Sequence, residues 1–269
     1  MTQAARPIRS FSTLGCPELE VEAVQDLARR FGIDTVELRA LGGTRDLPDY
    51  FTRRFGTPQG LARALRGGPP AIGLGTGFNL MVNGAEDRRV LLDFARWGEA
   101  AGVPRLRVFD GGVEGSTAEI RQACETLAWW HGEKASHGWT IDLMMETHDA
   151  FAEIEPLARF LKAAPDCLLL WDAHHTWRKG GEDPLVTWKL VKPHTVHIHV
   201  KDSVSVPSPG FPYTYVSPGS GEFPMRALRE TLARDGYAGI LSLEWEKPNH
   251  PYLPPIETAL QDARDRGWW

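Results

Sequence analysis

The chain has 269 residues, 42% of them hydrophobic and 24% charged, the composition of an ordinary globular protein. A formal net charge of −5 gives no basic footprint for duplex DNA, and no segment approaches membrane-spanning length. The start, MTQAARPIRS, lacks the apolar stretch of a secretory signal, and Cys16, Cys124 and Cys167 are too few and too scattered for a disulfide framework or a thiolate zinc site. A single domain over 1–269, a cytoplasmic location, and no nucleic-acid or membrane partner are therefore expected. The oligomeric state is left open, with a homo-oligomer compatible.

Hydrophobic spacing predicts a strand over 8–13 and a helix over 18–31 closed by Gly32. A strand over 35–39, a brief helix over 60–66 and a strand over 71–75 follow. Next come a helix over 87–101, a strand over 105–109 and a long helix over 117–137 that stops at Gly138. The alternation continues with strands over 140–146, 167–172, 195–200 and 239–245. Helices over 152–163, 184–191, 224–234 and 254–266 separate and follow them. Eight strand–helix units of roughly 34 residues each match the arithmetic of a (β/α)8 barrel. An open doubly wound sheet would usually carry a glycine-rich phosphate turn after its first strand, and Ser12-Thr-Leu-Gly-Cys16 is not one. The interval 203–222, rich in Pro, Ser and Gly, is long enough to act as a lid.

The run LLLWDAHH over 168–175 is the centre of the reading. An apolar strand buried on both faces ends abruptly in acid and imidazole. A core would not accept those groups unpaired, whereas the carboxyl end of a barrel strand is where an enzyme of this fold keeps its chemistry. Residues two apart share a strand face, which pairs Glu146 with His148, His197 with His199 and Lys201, Glu244 with Glu246, and Glu37 with Arg39. One such pair is usually structural, but four at equivalent strand ends point into one mouth. If Glu146, Asp172 and Glu244 converge at about 4 Å, each pair repels by roughly 4 kcal/mol at an effective dielectric of 20. The total is on the order of 10 kcal/mol, comparable to the stability of a whole domain. Protons or a cation must relieve it. Three carboxylates and one imidazole make a mainly hard-oxygen site for one divalent ion, Mn²⁺ favoured and Mg²⁺, Co²⁺ or Zn²⁺ tolerated. Lys201, His148, Arg39 and Glu37 are candidate substrate contacts. The turn 217–221 could cradle a phosphate ahead of its helix, and 177–179 an anion, although a plain turn and a solvated loop are the simpler readings.

FSTLGCPELE, GIDTVELR, METH, WDAHH, HIHVKD and LEWE, spread over nearly the whole chain, resemble the xylose-isomerase-like barrel superfamily. That superfamily holds sugar and sugar-phosphate isomerases and epimerases together with apurinic endonucleases. The resemblance implies Glu146, Asp172, His199 and Glu244 as metal ligands, with His199 preferred to His197 for its spacing to Lys201-Asp202. It implies Glu146 and Glu244 as the acid–base pair and His175 as a residue beside the metal that touches substrate. The third and fourth strand ends carry no His, which argues against the three-zinc cluster of the endonuclease branch, and strand seven lacks the downstream carboxylates that hold a second metal in true xylose isomerases, so one metal is expected.

The function these features imply is a metal-dependent isomerase or epimerase of a small carbohydrate: a sugar, sugar phosphate or related polyol. A metal-stabilised enediolate would be served by two glutamates as acid and base. The alternatives are a polyol dehydratase of the same fold and an endonuclease-like metal phosphoesterase, the latter disfavoured by the acidic charge.

Overall fold

A computed structural model describes residues 6–267. Strands β1 (Ile8–Ser12), β2 (Thr35–Leu38), β3 (Ala71–Asn79), β4 (Arg105–Phe109), β5 (Asp142–Glu146), β6 (Leu169–Asp172) and β7 (Thr195–Val200) are followed by a short hairpin. That hairpin consists of β8 (Asp202–Val204) and β9 (Thr214–Val216), and β10 (Ile240–Leu243) comes after it. Seven of the strands and β10 close into a parallel barrel in the order β1-β10-β7-β6-β5-β4-β3-β2, with β8 and β9 paired antiparallel outside it. The fold is the expected (β/α)8 TIM barrel. The reading of the first residues as leaderless rests partly on 1–5, which lie outside the described residues. Among the described residues, no helix is long and apolar enough to cross a membrane.

The surrounding helices are α1 (Val21–Phe31), α2 (Leu47–Phe55), α3 (Pro58–Leu65), α4 (Ala85–Ala101), α5 (Thr117–His137), α6 (Ile154–Ala163), α7 (Ala173–Arg178), α8 (Pro184–Val191), α9 (Met225–Arg234) and α10 (Ile256–Asp265). Their ends follow local chemistry. Gly102 and Gly138 take the left-handed conformation that stops α4 and α5, and Ser116 with Glu119 forms the capping box that starts α5. Two helices were not expected. α2 is a nine-residue element whose Asp46 side chain caps it at Asp49 N. α7 begins directly at the end of β6, because the Asp172 carboxylate accepts the His175 amide at 2.8 Å and so caps it. The interval expected as a lid is partly ordered as the β8–β9 hairpin.

Alternate strand residues separate two environments. Val36, Leu74, Leu106, Val108, Ile198 and Leu243 are fully buried in the core. The polar residues between them are equally buried, but lie in the barrel's interior.

Candidate metal centre

Glu146 ends β5, Asp172 ends β6, His199 sits late in β7 and Glu244 follows β10. The parallel register sets Asp172 beside His199 and His199 beside Ser242, so the four side chains arrive at one level. One ligand atom from each lies within 4.8 Å of all the others. His199 Nδ1 is 3.4 Å from Glu244 Oε2, 3.5 Å from Glu146 Oε1 and 3.9 Å from Asp172 Oδ2, beyond good hydrogen-bond length to any of them. Its Nε2 lies 2.7 Å from Glu37 Oε2. A carboxylate that holds one ring nitrogen and turns the other towards a cluster of acids is the usual outer support of a metal-bound histidine.

The cluster is heavily charged and dry. Lys201, 1% exposed, places its ammonium 2.8 Å from Asp172 Oδ2 and 2.7 Å from Glu246 Oε1, and also bonds Glu244. Arg107 Nε lies 3.2 Å from Glu146 Oε2, and its Nη1 donates to the Thr76 carbonyl. Burial opposes ionisation of Glu146 and Glu244. Arg107 overcomes it for the first, Lys201 and His199 for the second, so both stay below the usual carboxylate range. Burial raises Asp172, with Glu244 and Glu146 adding to it and Lys201 opposing it. Burial also disfavours a charged His199, yet the Glu244 and Glu37 charges lift it well above the ordinary range. A proton on His199 would offset part of the surrounding negative charge.

Four buried carboxylates (Glu37, Glu146, Asp172 and Glu244) and the partly buried Glu246 then face three cations, Lys201, Arg107 and Arg39. With His199 neutral, two negative charges are left over, the charge of one divalent ion. The unbonded His199 Nδ1 aimed at three carboxylates and this charge deficit both fit such an ion.

Above the cluster lies a cavity of about 250 Å³ lined by Arg39, Arg45, Arg107, Phe109, Glu146, His148, His175, Glu244, Glu246 and Asn249, with Leu14. Of the expected substrate contacts, Arg39, His148 and His175 line it. His175 reaches back to Asp172 Oδ2 at 3.4 Å, and its ring packs against His148, 4.8 Å between centroids.

Two of the expected contacts, Glu37 and Lys201, do not line the cavity. Glu37 lies beneath the cluster, bound to His199 and 3.7 Å from His197, and supports the histidines instead of lining the cavity. Lys201 is enclosed by three carboxylates instead of facing the opening, because only they can compensate its buried charge. His197 is one step lower in β7 and meets Glu37, not the four-residue cluster; burial pushes it down to about 3, so it is neutral.

Arg107, which lines the cavity, had not been singled out, and Glu246, read as pointing into the mouth with Glu244, had been given no role. The signal was present: Arg107 alternates with apolar Leu106 and Val108 as Glu146 does with Met145. His174, next to His175, turns away on α7 to Ser203 Oγ at 2.8 Å, since successive helix residues point about 100° apart. The turn 217–221 is not open to phosphate: the amides of Gly219 and Gly221 each donate to Asp202 Oδ2 at 2.9 Å.

The hairpin closes over one side, with Tyr215 donating to Glu246 Oε1 at 2.9 Å. Arg178 ties it down through Ser205, 3.1 Å from Nη1.

A search of curated proteins finds no match. Solved structures match over nearly the full length. The probable 3-DHS dehydratase AsbF of Bacillus anthracis shares 17% identity at a TM-score of 0.76, covering 96% of this chain and 99% of its own. The IolI protein with a bound zinc atom shares 16% at 0.72, covering 96% and 95%. Endonuclease IV of Thermus thermophilus shares 18% at 0.64, covering 97% and 98%. At such identities the likeness is one of fold. The family model for the xylose isomerase-like TIM barrel matches residues 25–268, and the chain belongs to that family.

Proposed function

We propose that the protein is a divalent-metal-dependent isomerase or epimerase of a sugar, sugar phosphate or related polyol. The observation that carries this reading is the convergence of Glu146, Asp172, His199 and Glu244 within 4.8 Å at the floor of a small cavity. These four residues would hold the ion, which when bound supplies a Lewis acid for adjacent carbonyl and hydroxyl oxygens of the substrate.

The rest is the work of the chain's own groups. Glu146 and Glu244 come from strands separated by β6 and β7 in the barrel and so approach a ligand from two sides. Each is held ionised, Glu146 by Arg107 and Glu244 by Lys201, so either can take the carbon-bound proton. The carboxylic acid so formed returns the proton to the neighbouring carbon in isomerisation; in epimerisation the opposite glutamate, protonated from solvent, delivers a proton to the other face while the first loses its own to solvent. His175 and Arg39 orient the substrate, and the β8–β9 hairpin limits water. A cavity of about 250 Å³ has the volume of roughly eight water molecules. It suits one small ring or short open chain, and weighs against an endonuclease-like phosphoesterase.

A dehydratase is the second reading. His148 lines the cavity, and although burial opposes its charge, Asp149 and Glu146 raise its pKa. A protonated His148 could supply the proton that a departing hydroxyl requires.

The test is turnover in deuterium oxide with Mn²⁺, over a panel of aldoses, ketoses, their acids and phosphates, and inositol derivatives. Deuterium is expected at the reacting carbon of the product. Glu146→Gln and Glu244→Gln should each abolish net turnover, one of them retaining exchange in a single epimer. Product without deuterium points to a hydride shift and removes the acid–base roles. Loss of water from the substrate selects the dehydratase. Phosphodiester cleavage without carbon exchange overturns both.

A further inference from the structure

The cavity has a cationic wall opposite its acidic floor, and one member of that wall, Arg39, has no ion-pair partner among the described residues. Arg39 follows β2 and is 7% exposed. Its guanidinium makes no hydrogen bond or ion pair with any described residue, yet it lines the cavity. Many surface arginines of this chain are matched: Arg89 with Glu86 and Asp93, Arg53 with Asp49, Arg159 with Glu155. Arg107 stands beside Arg39. Its Nε faces Glu146, its Nη1 donates to Thr76, its Cζ rests 4.0 Å from the Phe109 ring centroid, and its Nη2 makes no hydrogen bond with any described residue. Arg45 completes the wall at the rim, held by Asn249 Oδ1 at 3.3 Å.

The two buried guanidinium groups are brought together by an omission on the strand between them. β3 runs between β2 and β4 and carries Gly75 at the level of both. A Cβ there would run into the Arg39 side chain and lie 3.0 Å from Arg107 Nη2. The strand's missing side chain is the space the arginines occupy. Burial, with Arg107 and Arg45 alongside, pushes Arg39 down to about 9 from its usual 12.5, the more distant Glu146 and Glu244 charges opposing the fall, so it stays cationic at neutral pH. A buried guanidinium that stands beside two others and has no bonded anion of its own marks a place for a counter-ion, and its fork matches the paired oxygens of a carboxylate or phosphate.

We propose that Arg39, supported by Arg107 and with Arg45 at the rim, receives an oxyanion of the substrate. The substrate is then an acidic carbohydrate, a sugar acid or a sugar phosphate, and not a neutral sugar or plain polyol. The proposal rests on the reading of the cavity as the substrate site. Its polyol end meets the carboxylate floor and its acidic end meets the arginine wall.

Two measurements on the full chain test it. In the first, the metal-free protein is melted in acetate, phosphate or chloride at matched ionic strength. Acetate or phosphate should raise Tm by several degrees over chloride in the wild type, not in Arg39→Gln, and partly in Arg39→Lys. Equal Tm in all three salts, or an equal rise in wild type and Arg39→Gln, overturns the proposal. In the second, the Mn²⁺-loaded protein is titrated calorimetrically with D-glucose, D-glucuronate and D-glucose 6-phosphate. One of the acids should bind at least tenfold tighter than glucose, and that ratio should fall to near one in Arg39→Gln. Whichever acid leads identifies the oxyanion as carboxylate or phosphate. Glucose binding as tightly as both acids, or an equal loss for all three in the variant, overturns it. An anion effect on Tm without turnover of any panel substrate defeats the isomerase reading alone. Turnover of neutral sugars without an anion effect defeats this one alone.

Discussion

Asp172 and Asp202 are both fully buried aspartates at or just past the end of a barrel strand, and their charges are met in opposite ways. Asp202, beside the hairpin, accepts four backbone amides, from Ser203, Gly219, Gly221 and Phe223. Asp172, in the barrel mouth, accepts one amide, from His175, and otherwise faces Lys201 and other carboxylates. Backbone donors are fixed in place by the fold and satisfy a carboxylate permanently. Side-chain cations and neighbouring acids leave it able to exchange partners. The first arrangement makes a joint, and the second keeps a seat for a ligand. The same contrast separates Asp110, bonded by the amides of Asp149 and Phe151, from Glu146 and Glu244.

The comparison fails most visibly if Asp172 proves structural. Asp172→Asn preserves an oxygen for the His175 amide but removes a ligand charge. Metal affinity should fall by roughly 100-fold or more, since loss of even an outer support costs about 10–100-fold. Elemental analysis of gently purified protein should drop from about one divalent ion per chain towards none. Chelation should lower the wild-type Tm, a ligand at 100 times its Kd contributing about 2.7 kcal/mol, and should leave the variant's Tm unchanged. Three zinc ions per chain would contradict the single centre.

Asp202→Asn should act the other way, with metal content intact and stability reduced by about 2 kcal/mol, because its amide NH₂ faces backbone donors and leaves them unsatisfied. Denaturant unfolding reads this directly. A variant as stable as wild type would mean that the four amide bonds are not what holds the 217–223 turn.

His174 sharpens the hairpin side. Burial keeps its imidazole far below the ordinary 6.5, among Tyr213, Tyr215, Trp177 and Phe223. The unfolded chain therefore binds a proton that the folded one refuses. The stability this group contributes is fully present above about pH 6.5 and is lost as pH falls from there towards the folded value, at about 1.4 kcal/mol per pH unit. His174→Gln should flatten the fall in stability between about pH 7.5 and 5.5 relative to wild type. Parallel curves would remove His174 from the account.

The smallest effect is expected at Glu244. In metal-free protein Glu244→Gln relieves crowding among five carboxylates, while Lys201 keeps Asp172 and Glu246. Unfolding free energy should be unchanged or slightly higher. A clear loss would show Glu244 to be a permanent partner of Lys201, like Asp202 among its amides.

Much of this was legible in the sequence, for a physical reason. Period-two alternation at the ends of β5, β7 and β10 is enough to put Glu146, His199 and Glu244 on the interior face. Charge repulsion alone then asks for a cation. Boundaries of β4, α5, α8 and β7 coincide with the structure because caps and apolar runs define them locally. What was not legible depended on distant partners. Glu37 reads like a mouth residue until His199 Nε2 is found against it. Lys201 reads like a substrate contact until three acids from other strands enclose it. Arg107 is harder to place because β4 carries two arginines, Arg105 and Arg107, and the direction of the second shows only once Glu146 and Thr76 are seen beside it. α7 was missed because its cap, Asp172, was already assigned to the strand.

Gly75 carries a consequence for how this cavity can vary among relatives. The space it leaves is filled jointly by Arg39 from one neighbouring strand and Arg107 from the other, so the three positions are not free to drift separately. A lineage that acquires alanine or a larger residue at position 75 must surrender at least one of the arginines, and with it the preference for acidic ligands. One that loses Arg39 is released to fill the gap. Positions 39, 75 and 107 should therefore be inherited as a set. Sorting family members by the residue opposite Gly75 should divide acid-using from neutral-using enzymes without reference to the metal ligands, which both groups would share.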